Sequence, residues 1–188
     1  MDFVKLIESA AATTGGVVKG AESCLDAATP CSDWDVKELG NHMTGFLAYS
    51  AAAATKNTPL PEGGEAPDFT AGDWSATYHD LADKLVAAWS TPGSMEGETV
   101  FGPGPLAAQY AAGITLMELV VHGWDLAAAS GQTVEYSPEV IAATKQVVEG
   151  AAAGSPDGFF HPPVPVGDGA SDMDTMLALS GRAPSWSV

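Results

Sequence analysis

The chain has 188 residues, of which 46% are apolar, and a formal net charge of −17 with only seven basic residues. This length suits one domain with a substantial core. The shortage of basic residues argues against binding to nucleic acid or to an anionic membrane, both of which need a cationic surface. No apolar segment is long enough to cross a bilayer, and the N-terminal residues lack a signal-peptide pattern, so we expect a cytoplasmic protein.

Apolar residues recur at helical spacing along most of the chain, and few segments alternate with a period of two. The sequence therefore predicts an all-α fold without a sheet. Four long helices would form a four-helix bundle over about residues 1–130, and a short helical and irregular extension would follow over about 131–188, within a single domain. The predicted helices cover residues 3–24, 35–55, 74–89, 105–129, 138–150 and 172–179.

Three segments between the helices are rich in Pro and Gly. Residues 58–72 predict a long surface crossover, which is common in four-helix bundles. Residues 95–104 predict a second irregular connection that leads into the fourth helix. Residues 154–169 contain Phe159, Phe160 and His161, and we expect this loop to pack back on the bundle and to cover one end of a pocket.

His42 lies close to the apolar stripe of the predicted second helix. That helix has a clear start, because Asp35 is followed three residues later by Glu38, in a close relative of the capping box. A histidine on such a face is either a metal ligand or a hydrogen-bonded core residue. Spacing alone leaves both interpretations open.

Glu118 and His122 are four residues apart within the apolar run of the predicted fourth helix. Four residues make about one helical turn, so both side chains lie on one face. An ionised carboxylate in this setting needs a compensating cation, a hydrogen-bond network or protonation. A divalent metal with a third ligand from another helix would meet that need, and buried ion pairs without a metal would do so as well.

The remaining reactive side chains give weaker signals. Cys24 and Cys31 flank the predicted turn between the first two helices, and we expect neither a disulfide in a cytoplasmic protein nor a catalytic thiol. His79 lies in a mostly polar stretch and is expected at the surface. Arg182 is the only arginine, which leaves little provision for clamping a dicarboxylate substrate.

Three segments resemble a known family. They are residues 29–43 with the motif Thr-Pro-Cys-Ser-Asp-Trp-Asp, residues 118–126 with Glu-Leu-Val-Val-His-Gly-Trp-Asp-Leu, and the closing stretch from residues 162–166 to Trp186. Over nearly the whole chain the sequence resembles the actinobacterial metal-binding family related to the N-terminal domain of mycothiol-dependent maleylpyruvate isomerase. That family belongs to the DinB-like superfamily of four-helix bundles.

The resemblance implies a divalent metal, usually zinc, held by His42, Glu118 and His122. It also implies that Trp124 and Asp125 orient a ligand or line the pocket, although core packing explains Trp124 more simply. His161 stands where the family pattern usually has a small residue. It is a candidate for a catalytic acid or base, for a fourth ligand, or for a residue of a variable loop.

The function implied is that of a mycothiol-dependent transferase or isomerase, in which the metal activates the thiol for attack on an electrophilic substrate. With a single arginine, S-transfer to a less charged electrophile fits better than isomerisation of maleylpyruvate. The alternatives are a hydrolase that uses metal-bound water, a non-catalytic metal- or small-molecule-binding protein, and a bundle that holds only structural ion pairs. The protein is expected to be a monomer or a homodimer.

Overall fold

The computed structural model describes residues 1–57, 67–102, 104–154 and 160–187. Much of the predicted crossover, residues 58–66, and residues 155–159 with Phe159 lie outside these ranges. Within the described part, six helices and one hairpin follow one another along the chain. They are α1 (Phe3–Ala21), α2 (Val36–Ala54), α3 (Trp74–Trp89), β1 (Glu98–Phe101), β2 (Gly104–Ala107), α4 (Ala108–Ala129), α5 (Pro138–Gly154) and α6 (Asp172–Leu179).

Helices α1, α2, α3 and α6 begin where short polar side chains satisfy free backbone N–H groups. At the start of α2, the Asp35 carboxylate accepts from the Glu38 N–H at 2.8 Å, and the Glu38 carboxylate accepts from the Asp35 N–H at 3.0 Å. This is the predicted capping box. Asp73 caps α3 in a similar way, and Gly131, with φ of +66°, follows the end of α4 as predicted.

The four long helices form the predicted bundle. Helix α1 packs against α3 and α4, and α2 packs against the same two helices from the other side. Helix α4 is buried on nearly every face, because α5 and the hairpin cover the parts that α1 and α2 leave open. The all-α expectation is therefore confirmed for the architecture, and a functional side chain on α4 that faces α2 lies inside the molecule.

The connection before α4 differs from the prediction. Residues 98–101 and 104–107 pair as a two-stranded antiparallel hairpin, with Thr99 opposite Leu106 and Val100 opposite Pro105. Gly102 makes the turn with φ of +64°. Pro105 is tolerated because each strand of a two-stranded sheet is an edge strand. Helix α4 consequently begins at Ala108, three residues later than its predicted start at Pro105.

The C-terminal extension packs on the bundle through α5, which contacts α4 and α1, and α6 packs on α5. Helix α5 runs to Gly154, beyond its predicted end at Gly150, whereas α6 has its predicted bounds. Met176 and Leu177 of α6 belong to the same apolar core as the bundle. In the described residues, no helix combines the length and apolar character needed to span a membrane.

Candidate metal centre

Neighbouring helices α2 and α4 bring three predicted ligands together in the bundle. His42 projects from the middle of α2, and Glu118 and His122 project from consecutive turns of α4. The nitrogen or oxygen ligand atoms of these three residues all lie within 4.8 Å of one another. The pairing of α2 with α4 thus joins residues that are 76 positions apart in sequence.

The two imidazoles converge on one carboxylate oxygen. Oε2 of Glu118 lies 3.0 Å from Nε2 of His42 and 3.3 Å from Nε2 of His122. The two histidine rings meet nearly edge to face, with their centroids 5.0 Å apart. Side-chain exposure falls from 32% at His42 to 18% at Glu118 and 10% at His122, so the cluster is open to solvent on the His42 side.

The pKa values of Glu118 and His122 depend on the contacts that these residues make with each other and with their neighbours. Burial alone would raise the pKa of Glu118, but the charge of His122 and hydrogen bonds to both histidines outweigh it and hold that pKa well below its usual range. Burial would lower the pKa of His122, but the charge of Glu118 and the hydrogen bond to Asp125 outweigh it and raise the pKa to about 9. A concentration of negative charge therefore surrounds the His122 ring.

Asp125 lies one turn beyond His122 and is fully buried. Its Oδ2 atom lies 2.9 Å from Nδ1 of His122 and accepts a hydrogen bond from Nη2 of Arg182, also at 2.9 Å. Its Oδ1 atom accepts from Nε of Arg182 at 3.2 Å. Burial would raise the pKa of Asp125, yet the bond to His122 and the charge of Arg182 lower it. The orienting role of Asp125 stays a prediction, and these contacts show that its carboxylate lies against the His122 ring.

Aromatic rings surround the exposed side of the cluster. The ring centroid of Trp34 lies 4.5 Å from that of His42 and 5.7 Å from that of His122. Phe46, one turn after His42, lies 6.2 Å from its ring and 5.8 Å from Phe101 of the hairpin. Phe101 of the hairpin thus extends the row of aromatic rings that begins beside His42.

Trp124 and His161, the other predicted site residues, have different surroundings. Trp124 is partly buried and packs against the apolar core. His161 is exposed, and its Nε2 atom lies 3.5 Å from Oδ2 of Asp33. It is not among the residues whose ligand atoms cluster around Glu118. Its predicted catalytic role stays a prediction.

Three other residues that were considered from the sequence also have clear positions. Cys24 and Cys31 are free thiols, and Cys31 has its sulfur within 4.8 Å of ligand atoms of His122 and Asp125. Burial raises the pKa of the Cys31 thiol. His79 is exposed on α3 as expected, with its Nδ1 atom 2.7 Å from the Ser75 carbonyl oxygen.

Sequence reasoning overlooked two residues of the site. Trp34 was visible as part of the first motif, directly before the capping residue Asp35, but nothing local indicated that its ring faces His42. Arg182 is distinguished in sequence only as the single arginine. It is 6% exposed, and its contact with Asp125 spans 57 positions, so no local pattern reveals it.

The fold and the site together define a class: a four-helix bundle in which facing helices bring together His and Glu side chains that could hold a metal ion. The chain belongs to the family of the mycothiol maleylpyruvate isomerase N-terminal domain, whose model matches residues 6–127. This match confirms the resemblance found in the sequence, and it contains His42, Glu118 and His122.

Two Mycobacterium tuberculosis proteins are similar in sequence: "Uncharacterized protein Rv0738" of strain H37Rv and "Uncharacterized protein MT0763" of strain CDC 1551. Each is 29% identical over 119 residues, which are 62% of this chain and 60% of the relative. A solved structure, titled "Crystal structure of the mycothiol-dependent maleylpyruvate isomerase", matches with a TM-score of 0.58 and 15% identity. The match covers 81% of this chain and 68% of that one, and it shows a shared fold.

Proposed function

We propose that the protein binds a divalent metal, preferably zinc, through His42, Glu118 and His122, and that it uses the metal to activate mycothiol for S-transfer or isomerisation. The observation that carries this proposal is the convergence of two imidazole nitrogens on one carboxylate oxygen, at 3.0 and 3.3 Å. Ligand atoms at about 2.0–2.1 Å from a tetrahedral zinc ion are roughly 3.3 Å apart, and both nitrogen–oxygen distances in the cluster are close to this value.

The proposed set of three protein ligands suits a catalytic metal ion. Three protein ligands of the histidine and carboxylate type are typical of catalytic rather than structural zinc sites, in which a further position takes water or substrate. When bound, zinc would lower the pKa of a thiol so that it is a thiolate at neutral pH. Two histidines and one carboxylate also suit other divalent metals, and zinc is the first one to test.

The side of the cluster that is open to solvent is the proposed entry for the thiol. His42 is the most exposed of the three proposed ligands, so a thiol would approach the metal past His42. A small cleft of about 10 Å³ also adjoins Glu118 and is lined by Met43, Phe46, Tyr78 and Leu119. This cleft has room for about one water molecule, so the larger part of mycothiol would stay outside it.

The charge pattern favours an electrophilic substrate with little negative charge. Arg182 is already paired with the buried Asp125. Lys37 pairs with Asp68, and the Lys56 ammonium donates to the carbonyl oxygens of Ser94 and Glu96. With a net charge of −17, the protein would repel a dicarboxylate such as maleylpyruvate more than a neutral electrophile.

The test compares metal content with thiol transfer. Elemental analysis of tag-free protein after zinc loading and dialysis should give about one equivalent for the wild type and far less for His42→Ala and His122→Ala. His79→Ala is the matched control, because His79 is an exposed histidine outside the cluster. This control should retain the wild-type zinc content.

The same proteins are then assayed with mycothiol and either chlorodinitrobenzene or maleylpyruvate. We expect zinc-dependent thioether formation with the neutral arylating reagent, and its loss in the two ligand variants. Zinc bound without turnover of either substrate would favour the binding-protein alternative. Equal zinc contents in the wild type and His42→Ala would refute the ligand assignment and leave a structural ion-pair cluster.

A further inference from the structure

The side chain of Arg182 reaches the candidate metal centre from outside the region that defines the family. It follows α6, well beyond residue 127, where the family match ends. Its guanidinium donates from Nε and Nη2 to the two oxygens of Asp125 and from Nη1 to the Ser180 carbonyl oxygen at 2.8 Å. Arginine and aspartate are both buried, at 6% and 0% exposure.

The contact matters because of what Asp125 does to His122. An ionised carboxylate only accepts hydrogen bonds, so the short contact between Oδ2 of Asp125 and Nδ1 of His122 requires a proton on Nδ1. That bond fixes the orientation of the imidazole ring, so that Nε2 faces the Glu118 carboxylate, 3.3 Å from Oε2. A ligating histidine commonly has its other ring nitrogen bonded to a carboxylate in this way, which sets the direction of the nitrogen that binds the metal.

The guanidinium fork fixes the Asp125 carboxylate through two donors in one plane, one to each carboxylate oxygen. Without the fork, the buried carboxylate would lose the charged partner that holds it in this position. The bond that orients the His122 ring would then no longer be held in one geometry.

We propose that Arg182 is a positioning residue of the metal centre: its guanidinium fork fixes the Asp125 carboxylate, which in turn fixes the orientation of the His122 ring. This inference rests on the proposed function for its consequence, but the hydrogen-bond chain itself exists without a metal. The extension after α5 is thereby part of the site rather than a cover for the bundle. Family members that match only over the bundle would need another cation to replace Arg182.

The test uses three variants of the full chain. Arg182→Met keeps much of the side-chain volume and removes the charge, whereas Arg182→Lys keeps the charge without the planar fork. Lys145→Met is the matched control. Lys145 of α5 also forms an ion pair within the C-terminal extension, with Asp172 at the start of α6, and this pair lies outside the candidate metal centre. Zinc affinity is measured by competition with a chromophoric chelator, and thermal unfolding is followed on the metal-free proteins.

We expect Arg182→Met to lower the zinc affinity by up to about 10–100-fold, the usual effect of disrupting the hydrogen-bond partner of a ligating histidine, which here is Asp125. Arg182→Lys should recover part of the loss, and Lys145→Met should bind zinc as tightly as the wild type. If Arg182→Met is less stable but binds zinc as the wild type does, Arg182 is merely structural and the proposal is wrong. If Arg182→Met fails to fold, Asp125→Asn replaces it, and we expect a similar loss of affinity.

A measurement on metal-free protein separates this inference from the proposed function. The His122 Nδ1 proton, held against Asp125 and shielded from solvent, should give a downfield imidazole resonance in the proton NMR spectrum, assigned by its absence in His122→Ala. We expect the resonance to vanish or to shift strongly in Arg182→Met. If the wild type binds no zinc, the proposed function fails, while an unchanged resonance in Arg182→Met would overturn the positioning role in either case.

Discussion

Gly123 shows how one residue beside a ligand controls the packing of the bundle. It follows His122 on α4, and a Cβ atom at this position would overlap Tyr136 Oη and lie 2.6 Å from Thr14 Oγ1. Those two hydroxyl groups are 2.8 Å apart, and Thr14 Oγ1 donates to the Leu119 carbonyl oxygen at 2.9 Å. The missing side chain therefore allows α1 and the segment before α5 to approach α4 directly behind the candidate metal centre.

We expect Gly123→Ala to destabilise the protein by about 1–3 kcal/mol, because overlap in a packed core outweighs the better helix propensity of alanine. Urea unfolding measured by circular dichroism gives this free-energy difference. Gly16→Ala is the control, since Gly16 is exposed in α1 with nothing within 4 Å of an added Cβ. The control should be neutral or more stable by up to about 1 kcal/mol. If Gly123→Ala leaves the free energy of unfolding unchanged, the hydroxyl groups of Thr14 and Tyr136 move aside at little energetic cost.

At the scale of the elements, α2 is the helix whose start matters most to the site. Its capping box fixes the first turn, and the turn before it holds Trp34 against His42. Thr29 stabilises the same turn, because its hydroxyl group lies 2.9 Å from the Cys31 carbonyl oxygen and 2.8 Å from that of Trp34. The orientation of the candidate ligand His42 and of the Trp34 ring beside it thus depends on a short stretch of local hydrogen bonds.

Removal of the cap by Asp35→Ala should cost about 0.5–2 kcal/mol of unfolding free energy, the usual range for an N-cap aspartate. Glu38→Gln should cost much less, because glutamine also accepts from the N-cap N–H. Chemical denaturation curves of the two variants, compared with the exposed-site control Asp26→Ala, check this order. Equal losses in Asp35→Ala and Asp26→Ala would mean that the cap contributes nothing beyond surface charge.

The predicted elements were wrong at the hairpin before α4, where contacts with distant residues decide the conformation. Gly102 and Pro105 are equally compatible with an irregular connection and with a hairpin, and four-residue strands are too short for a clear alternation. Contacts with α2 stabilise the hairpin. Thr99 Oγ1 donates to the Ala53 carbonyl oxygen at the end of α2 at 2.6 Å, and the Gly102 N–H donates to the Tyr49 hydroxyl group. Those contacts are invisible in the sequence of the hairpin itself.

At the scale of the whole molecule, the candidate metal centre joins elements that are far apart in the chain. It draws ligands from α2 and α4 and the supporting Arg182 from the segment after α6. A metal ion bound by residues of both α2 and α4 would oppose the separation of these helices on unfolding. Metal binding should therefore appear as global stability rather than as a local change.

The expected outcome is that zinc raises the thermal unfolding midpoint of the metal-free wild type. At a free zinc concentration 100 times Kd, the gain is about 2.7 kcal/mol, which corresponds to a rise of about 5–10 °C for a chain of this size. Scanning calorimetry with increasing zinc checks the value. His42→Ala should show little shift, and shifts of equal size in the two proteins would indicate zinc binding at some other place.

The sequence by itself determined the helical class, the capped start of α2 and the three candidate ligands. Each of these follows from local periodicity, from a capping pattern within four residues, or from the cost of placing a carboxylate in an apolar helix. The family resemblance added the pairing of the two motifs, and the match over residues 6–127 confirms the family.

Only the tertiary structure decided which partners complete the site. Trp34 meets His42 because a turn folds back on α2, and Arg182 meets Asp125 because α5 and α6 return the chain to α4. Local patterns report which face of a helix is buried, but they do not report which distant residue is buried against it. That choice is made by the packing of whole helices, which lowers the free energy through contacts between residues far apart in sequence.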